Sequence, residues 1–499
     1  KCLIALNKAF LNEKEIFHEI HRGSSLDRSI NQPHLFTEVQ VGLLLKRRIR
    51  KKYGITSGRN GEIMAKKVIQ IEEKVPFKML LPLSIQHLFA MFGATVLVPF
   101  LFGINPAIVL FMNGCGTLLF ILITKGKAPA YLGSSFAFIG PATIIINEWG
   151  YPYALGGFVA VGALGCLIAL GIRKFGTQWI NVVLPPAAMG PVVALIGLEL
   201  SSSAASTAGL IGDAVSMNNV IIFAVTLGVA VIGNVCFRKF FAIIPILIAV
   251  IAGYVTALCL GEVDFAPVLS ASFIQLPNFQ FPKFALGPIL TMLPVIFVIA
   301  SEHIGHQIVT SEIVGRDLIK DPGLDRSMFA DNFSTMISGF VGSVPTTTYG
   351  ENIGVMALTG VYSVQVIAGA AVLSILCAFI GPVCALIQSI PSAVIGGISF
   401  LLYGMIGVSG LRILIDEKVD YSNSVNMILT SVVFVTGLSG ISVTFGNTTL
   451  SGMVLAALTG ISLSLVFYIL DKLHLLNETS KEPENEFTEL EEELAAEKK

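Results

Sequence analysis

Pro345-Thr346-Thr347-Thr348-Tyr349-Gly350-Glu351-Asn352-Ile353-Gly354 opens on a proline, passes through three β-branched residues and leads into an apolar run with helical character. Ala128-Pro129-Ala130-Tyr131-Leu132-Gly133-Ser134-Ser135-Phe136-Ala137-Phe138 has the same order: a proline, small residues suited to extended backbone, then serines before an apolar run. Ser134, Ser135, Thr347 and Thr348 are expected to cap the helices that follow. Both stretches lie within a section from Leu80 to about Leu470 that is nearly all apolar. Extended backbone at membrane depth is tolerated only where protein or a cavity surrounds it.

The composition fits a membrane setting. The chain has 499 residues, 54% hydrophobic and 13% charged, with a mean hydropathy of +0.78. A soluble chain carries about 25% charged residues. A soluble enzyme, a disordered chain, a collagen and a nucleic-acid binder are therefore excluded, and the net charge of −1 offers no basic surface for a phosphate backbone. The seven cysteines (Cys2, Cys115, Cys166, Cys236, Cys259, Cys377 and Cys384) are scattered, with no CxxC pair, so neither a disulfide framework nor a metal site is expected.

The ends of the chain differ from its middle. Residues 1–63 form a polar, basic extension, expected to be disordered or not native, because Met64-Ala65-Lys66-Lys67-Val68 reads as a natural start. The alternative for the basic cluster Lys46-Arg47-Arg48-Ile49-Arg50-Lys51-Lys52 is a lipid-headgroup contact. The acidic tail from about Asn477 reads as a solvated cytoplasmic end.

A span needs about 20 residues plus a short connection, so roughly 390 apolar residues hold about fourteen helical spans. They are expected to begin near Leu80, Pro106, Ala130, Ala154, Val182, Val220, Ile243, Leu286, Met328, Asn352, Val364, Ala393, Asn426 and Leu450. Those at Ala130, Met328 and Asn352 read as short or broken. Lys125, Lys127, Arg173, Lys174, Arg238, Lys239, Arg316, Lys320, Arg326, Arg412 and Lys418 follow even-numbered spans, which puts both termini in the cytoplasm. The two broken segments are seven spans apart. An odd number of spans inverts the second copy, so the expectation is two inverted repeats of seven, with two half-helix N-termini converging on a midplane site. Free N–H groups there would donate to ligand carbonyls.

Ionisable residues inside a span are costly and mark function. Glu302 and His306 in Ser301-Glu302-His303-Ile304-Gly305-His306 share one helix face by their i,i+4 spacing, whereas His303 points away and reads as structural. Glu351 sits at the second break, and His87 lies in the first span as a ligand or a core histidine. Two carboxylates would repel an anion. They suit a neutral heterocycle with N–H donors and carbonyl acceptors, with Phe136 as an aromatic neighbour, and a buried Glu or His suits proton coupling.

Several motifs resemble the nucleobase–ascorbate (nucleobase–cation symporter) family, in its bacterial uracil-permease branch. Glu351-Asn352-Ile353-Gly354 with Thr359-Gly360 is similar to the family signature, and Gln86-His87-Leu88-Phe89-Ala90-Met91-Phe92-Gly93-Ala94-Thr95-Val96-Leu97-Val98-Pro99 is similar to its first span. The resemblance covers about Met64 to Leu470. It implies an all-α polytopic protein with a core domain (79–175, spans 1–4, and 284–388, spans 8–11) and a gate domain (176–262, spans 5–7, and 389–471, spans 12–14). Residues 64–78 and 472–499 would be cytoplasmic. It further implies that Glu302 and Glu351 bind the uracil ring and that Phe136 and Gly350 offer backbone amides. His306 would take part in proton coupling with Glu302. Ala94, Tyr349 and Tyr403 would line the pocket, with His87 and Asn352 in a supporting network. The implied activity is proton-coupled uracil uptake across a bacterial inner membrane, by a homodimer in the lipid bilayer with no cofactor beyond the co-transported proton. A purine (xanthine or urate) permease is the nearest alternative. An anion exchanger would want a basic residue at the half-helix site. An enzyme would want a nucleophile triad, a metal cluster or a phosphate loop, and a passive channel would not concentrate its solute.

Overall fold

The computed structural model describes residues 68–476 apart from 177, 213–214, 239–240, 243 and 446–447, and backbone only at 94, 178, 181, 445, 448, 449 and 451. The expected extension 1–63, its basic cluster and the acidic tail lie outside the described residues.

The chain enters through an extended stretch in which Ile69 bridges Val361. There follow α1 (Phe77–Ala90), α2 (Phe92–Phe102) and α3 (Pro106–Ile123), then β1 (Leu132–Ser134) and a single 3-10 turn, Phe136–Phe138. Next come α4 (Ile139–Trp149), α5 (Tyr151–Phe175), α6 (Gln178–Val183), α7 (Pro186–Glu199), α8 (Ser201–Thr207), α9 (Met217–Cys236) and α10 (Pro245–Cys259). The second half holds α11 (Ala266–Ser270), α12 (Leu286–Met292), α13 (Val295–Val314), α14 (Leu324–Val341), β2 (Thr346–Thr348), α15 (Gly350–Thr359) and α16 (Val364–Ala378). It ends with α17 (Gly381–Gln388), α18 (Ser392–Asp416), α19 (Ser424–Leu438), the hairpin β3 (Ser442–Phe445) and β4 (Thr448–Ser451), and α20 (Gly452–Lys472). Among the described residues, eight helical stretches are long and apolar enough to cross a membrane, and Pro245–Cys259, Val364–Ala378 and Ser424–Leu438 are shorter apolar helices.

Large apolar side chains cover the outside of the molecule as well as filling its core. Leu122, Val235 and Ile415 are 73%, 81% and 73% exposed, while Asn113, Thr117, His303, Asp331, Ser334, Thr335 and Thr346 are buried. Exposed apolar area in water costs about 25 cal/mol per Å². A surface of this kind is stable against acyl chains, and this chain is a multi-pass membrane protein.

Helix pairs pack through small residues, as they do where lipid supplies no hydrophobic drive between helices. A Cβ on Gly162 of α5 would stand 2.6 Å from the backbone nitrogen of Met336 in α14. One on Gly197 of α7 would stand 1.9 Å from the Tyr403 carbonyl oxygen in α18. Both helix pairs therefore depend on glycine for their close approach.

The run near Met328, expected to be short or broken, is the continuous 18-residue helix α14. Its polar residues Ser327, Asp331, Asn332, Ser334, Thr335 and Ser338 are buried. They lower the apparent hydropathy because they face protein partners, not because the helix stops.

Candidate substrate site

The two proline-led stretches meet. β1 and β2 pair antiparallel, with Leu132 opposite Thr348, Gly133 opposite Thr347 and Ser134 opposite Thr346. Backbone bonds extend the ladder at both ends: the Ser135 N–H donates to the Pro345 oxygen at 2.9 Å, and the Tyr349 N–H to the Tyr131 oxygen at 3.1 Å. Each strand then turns into a short helix, the Phe136 turn leading to α4 and Gly350 opening α15. The pairing brings Phe136 and Gly350 to corresponding places, each just past its strand.

The hydroxyls expected to cap these helices do other things. Ser135 and Tyr349 stand at the cap positions and neither makes a side-chain capping bond. The side-chain oxygens of Ser134, Ser135 and Thr347 are buried without a partner, and Thr348 Oγ1 bonds His306 Nδ1 at 3.0 Å. The helix starts thus keep uncapped N–H groups of the kind a ligand carbonyl takes.

Glu302 and His306 both lie on α13, which packs against α15 and β2. His306 reaches the second half-helix directly: a Cβ on Gly350 would lie 3.3 Å from His306 Nε2. One carboxylate oxygen of Glu302, Oε2, is buried and unpartnered. Glu351 and Asp331 lie close enough to act electrostatically on Glu302. A buried polar atom with no partner is uncommon, and here it is available to a ligand donor.

His303, one position along, is committed elsewhere. Its Nδ1 meets Asp331 Oδ2 at 2.9 Å and its Nε2 meets Ser327 Oγ at 3.0 Å, all three buried. His87 and Asn352 come together: Asn352 Nδ2 donates to the His87 carbonyl and to His87 Nδ1, each at 3.0 Å. With Nδ1 accepting, the His87 proton resides on Nε2. Tyr403 meets Phe136 edge to face at 6.3 Å. Ala94 lies in α2, with its side chain outside the described residues. Tyr349 reaches back to β1, its hydroxyl donating to the Ser134 oxygen at 2.7 Å.

Sequence reasoning passed over Asp331, which lies inside α14, three residues past the expected span start near Met328. It also passed over Glu199, at the end of α7. Glu199 Oε2 accepts the Met453 N–H at 2.8 Å, at the start of α20, and borders a small cavity with Gly140, Pro141, Ile144, Thr291, Met453 and Val454. The signal for both was a carboxylate within a run of otherwise apolar or small residues.

A sequence profile described as "Permease family" (Xan_ur_permease) matches residues 78–446. The chain belongs to this permease family. As a permease it is a transporter and not an enzyme. It is 53% identical over 413 residues to a protein named "Uracil permease" from Escherichia coli (strain K12), covering 82% of this chain and 96% of that one. The "Uracil permease" of Paenibacillus larvae is 53% identical over 421 residues, covering 83% and 100%. That of Bacillus subtilis (strain 168) is 49% identical over 397 residues, covering 77% and 91%. Among solved structures, the transmembrane domain of a cyanobacterial bicarbonate transporter, BicA, aligns with a TM-score of 0.55 at 15% identity, covering 79% of the permease and 100% of that chain. Murine Slc26a9, an anion transporter in the inward-facing state, aligns at 0.60 and 10% identity, covering 89% and 76%. At such identities the likeness concerns the fold alone, and the permease shares the architecture of these transporters.

Proposed function

We propose that this permease carries uracil into the cell together with a proton. The observation that carries the assignment is the β1–β2 pairing. It sets two uncapped half-helix starts, at Phe136 and Gly350, beside a helix bearing Glu302 and His306. Uracil has two ring N–H donors and two carbonyl acceptors. Glu302 and Glu351 take the ring N–H groups, the amides of Phe136 and Gly350 donate to one carbonyl, and His306 lies toward the other. Phe136 and Tyr403 supply flat apolar surface, Tyr349 and Ala94 line the pocket, and His87 with Asn352 supports it. Glu302 and His306 carry the proton coupling. The name shared by relatives about half identical to this chain favours uracil over other nucleobases.

The protein crosses the bacterial inner membrane as fourteen spans in two inverted repeats of seven, with both termini cytoplasmic and two copies forming a dimer. Residues 79–175 and 284–388 form a core that moves against a gate of 176–262 and 389–471, exposing the site to each side in turn. Support for this division comes from the glycine-mediated close packing of α5 with α14 inside the first and of α7 with α18 inside the second. No cofactor is proposed beyond the transported proton.

Cells lacking their own uracil permease test this directly. Expression of the chain should confer concentrative uptake of labelled uracil that collapses with a protonophore. Preference for xanthine or urate in competition would overturn the substrate, and indifference to the proton gradient would overturn the coupling.

A further inference from the structure

The two short strands begin in the same way. Leu132 is the first residue of β1, and its N–H donates to Thr117 Oγ1 of α3 at 2.9 Å. Thr346 is the first residue of β2, and its N–H donates to Thr335 Oγ1 of α14 at 3.1 Å. Both threonines are buried. In each half of the chain, the helix preceding the broken segment thus holds the first strand residue with a threonine hydroxyl.

The surroundings match as well. Four residues before each threonine stands an Asx residue, and one before stands a small residue: Asn113, Gly116 and Thr117 in α3; Asp331, Ser334 and Thr335 in α14. The two helices cross at these positions. A Cβ on Gly116 would lie 2.1 Å from Ser334 Oγ, and Ser334 Oγ shares a hydrogen bond with Thr346 Oγ1 at 2.7 Å. Counting forward, Phe136 is four residues after Leu132 and Gly350 is four after Thr346. Each hydroxyl therefore holds the residue that stands four positions before its half-helix start.

The halves differ in where the hydroxyl proton goes. Thr117 lies 2.7 Å from the Asn113 oxygen and 3.3 Å from the Leu132 oxygen, so its nearer acceptor is on its own helix. That bond is common for helical threonine. Thr335 instead donates to the Thr346 oxygen at 2.7 Å, and so holds both backbone groups of one residue. A threonine that only satisfied itself would show the first pattern and not the second.

We propose that Thr117 and Thr335 are paired positioning residues, which fix the heights of the two strands and thereby aim the amides of Phe136 and Gly350 into one site. The proposal rests on the uracil site described above. Thr335, with two bonds to the strand, is the stronger of the pair.

Two measurements test it separately from that site. The first is backbone hydrogen exchange on purified protein without ligand. Thr335→Val, which keeps the shape and removes the hydroxyl, should speed exchange over 346–350, Thr117→Val should do so more weakly over 132–136, and Thr→Ser at either position should resemble the parent. Unchanged exchange in both valine variants overturns the proposal whatever the substrate proves to be. The second is uracil uptake at equal amounts of membrane-inserted protein. Thr335→Val should raise KM about tenfold, the equivalent of one or two lost hydrogen bonds, with KM recovered in Thr335→Ser. A KM at the parental value in both valine variants, alongside faster exchange, overturns the positioning role. Absence of uracil uptake by the parent chain strikes the substrate assignment alone and leaves the exchange result to decide this proposal.

Discussion

The Tyr349 hydroxyl donates to the Ser134 carbonyl oxygen at 2.7 Å, joining residues 215 positions apart at the point where both proline-led stretches turn into helix. The same ring occupies the space above Gly133, where an added Cβ would stand 2.0 Å from Tyr349 Cε2. Removing the hydroxyl leaves a buried carbonyl unpaired, at a cost of about 1–3 kcal/mol. Tyr349→Phe should therefore fold, melt lower than the parent in detergent and transport more slowly. Gly133→Ala should be worse, because the collision displaces the ring itself; a parental melting temperature for Gly133→Ala would contradict the geometry.

Substitutions at Glu302 and His306 test the proposed binding and coupling roles. A hydrogen bond to a charged group is worth about 1.5–3 kcal/mol, so Glu302→Ala should lower uracil uptake efficiency roughly 10- to 150-fold. His306→Ala loses the bond to Thr348 and should flatten the dependence of uptake on external pH. Uptake by Glu302→Ala at the parental rate would remove Glu302 from the site, and an unaltered pH profile for His306→Ala would remove His306 from coupling.

Glu199 borders the small cavity lined by Gly140, Thr291 and Met453. Its carboxylate accepts the Met453 N–H at the start of α20, where the helix dipole favours a negative group. Glu199→Ala should lower the melting midpoint by an amount corresponding to about 1 kcal/mol, while Glu199→Gln, which keeps an acceptor oxygen, should recover most of it. Equal stability of the two variants would show that the capping bond contributes nothing.

At the end of α13, Arg316 bonds Glu72 at 2.6 Å, tying the entry segment to the start of the following connection. The Arg316 hydrogen bond holds the Glu72 carboxyl below its usual range. A carboxyl lowered on folding stabilises the fold above its unfolded pKa, and that contribution disappears as pH falls through its folded value. Both side chains are about half exposed, so the pair is worth less than about 1 kcal/mol and weakens in salt. Comparison of the parent with Arg316→Gln should show a small difference in melting at neutral pH that shrinks on acidification; a difference that grows instead would invert the assignment.

Much of the architecture was legible in the chain. The proline-led stretches announced where helices break, because proline and β-branched residues disfavour helix at any depth. That the two stretches converge was suggested by span counting, but that they pair as strands was not, since strand register depends on partners more than two hundred residues away. Among the candidate site residues, Glu302 and Glu351 stood out because charge in an apolar run is rare. Ser134, Ser135 and Thr347 misled, since a hydroxyl before a helix is a capping signal only when the chain entering the helix lets it reach the N–H groups, and strand pairing turns these away. Thr117 and Thr335 gave no signal singly. Their matched spacing from Asn113 and Asp331 was visible in the sequence, but only an alignment of one half of the chain on the other would have drawn it out.

The pairing of Ser134 with Thr346 also bears on how the protein is made. Synthesis reaches Thr346 only 212 residues after Ser134, a delay of roughly ten to forty seconds at ribosomal rates of about 5–20 residues per second. Through that interval the first broken segment is inserted without the strand that satisfies its backbone. The nascent first half must shelter it with water, lipid headgroups or the insertion machinery. Chains truncated before Thr346 should therefore be targets for membrane quality control, even though most of their helices are already complete.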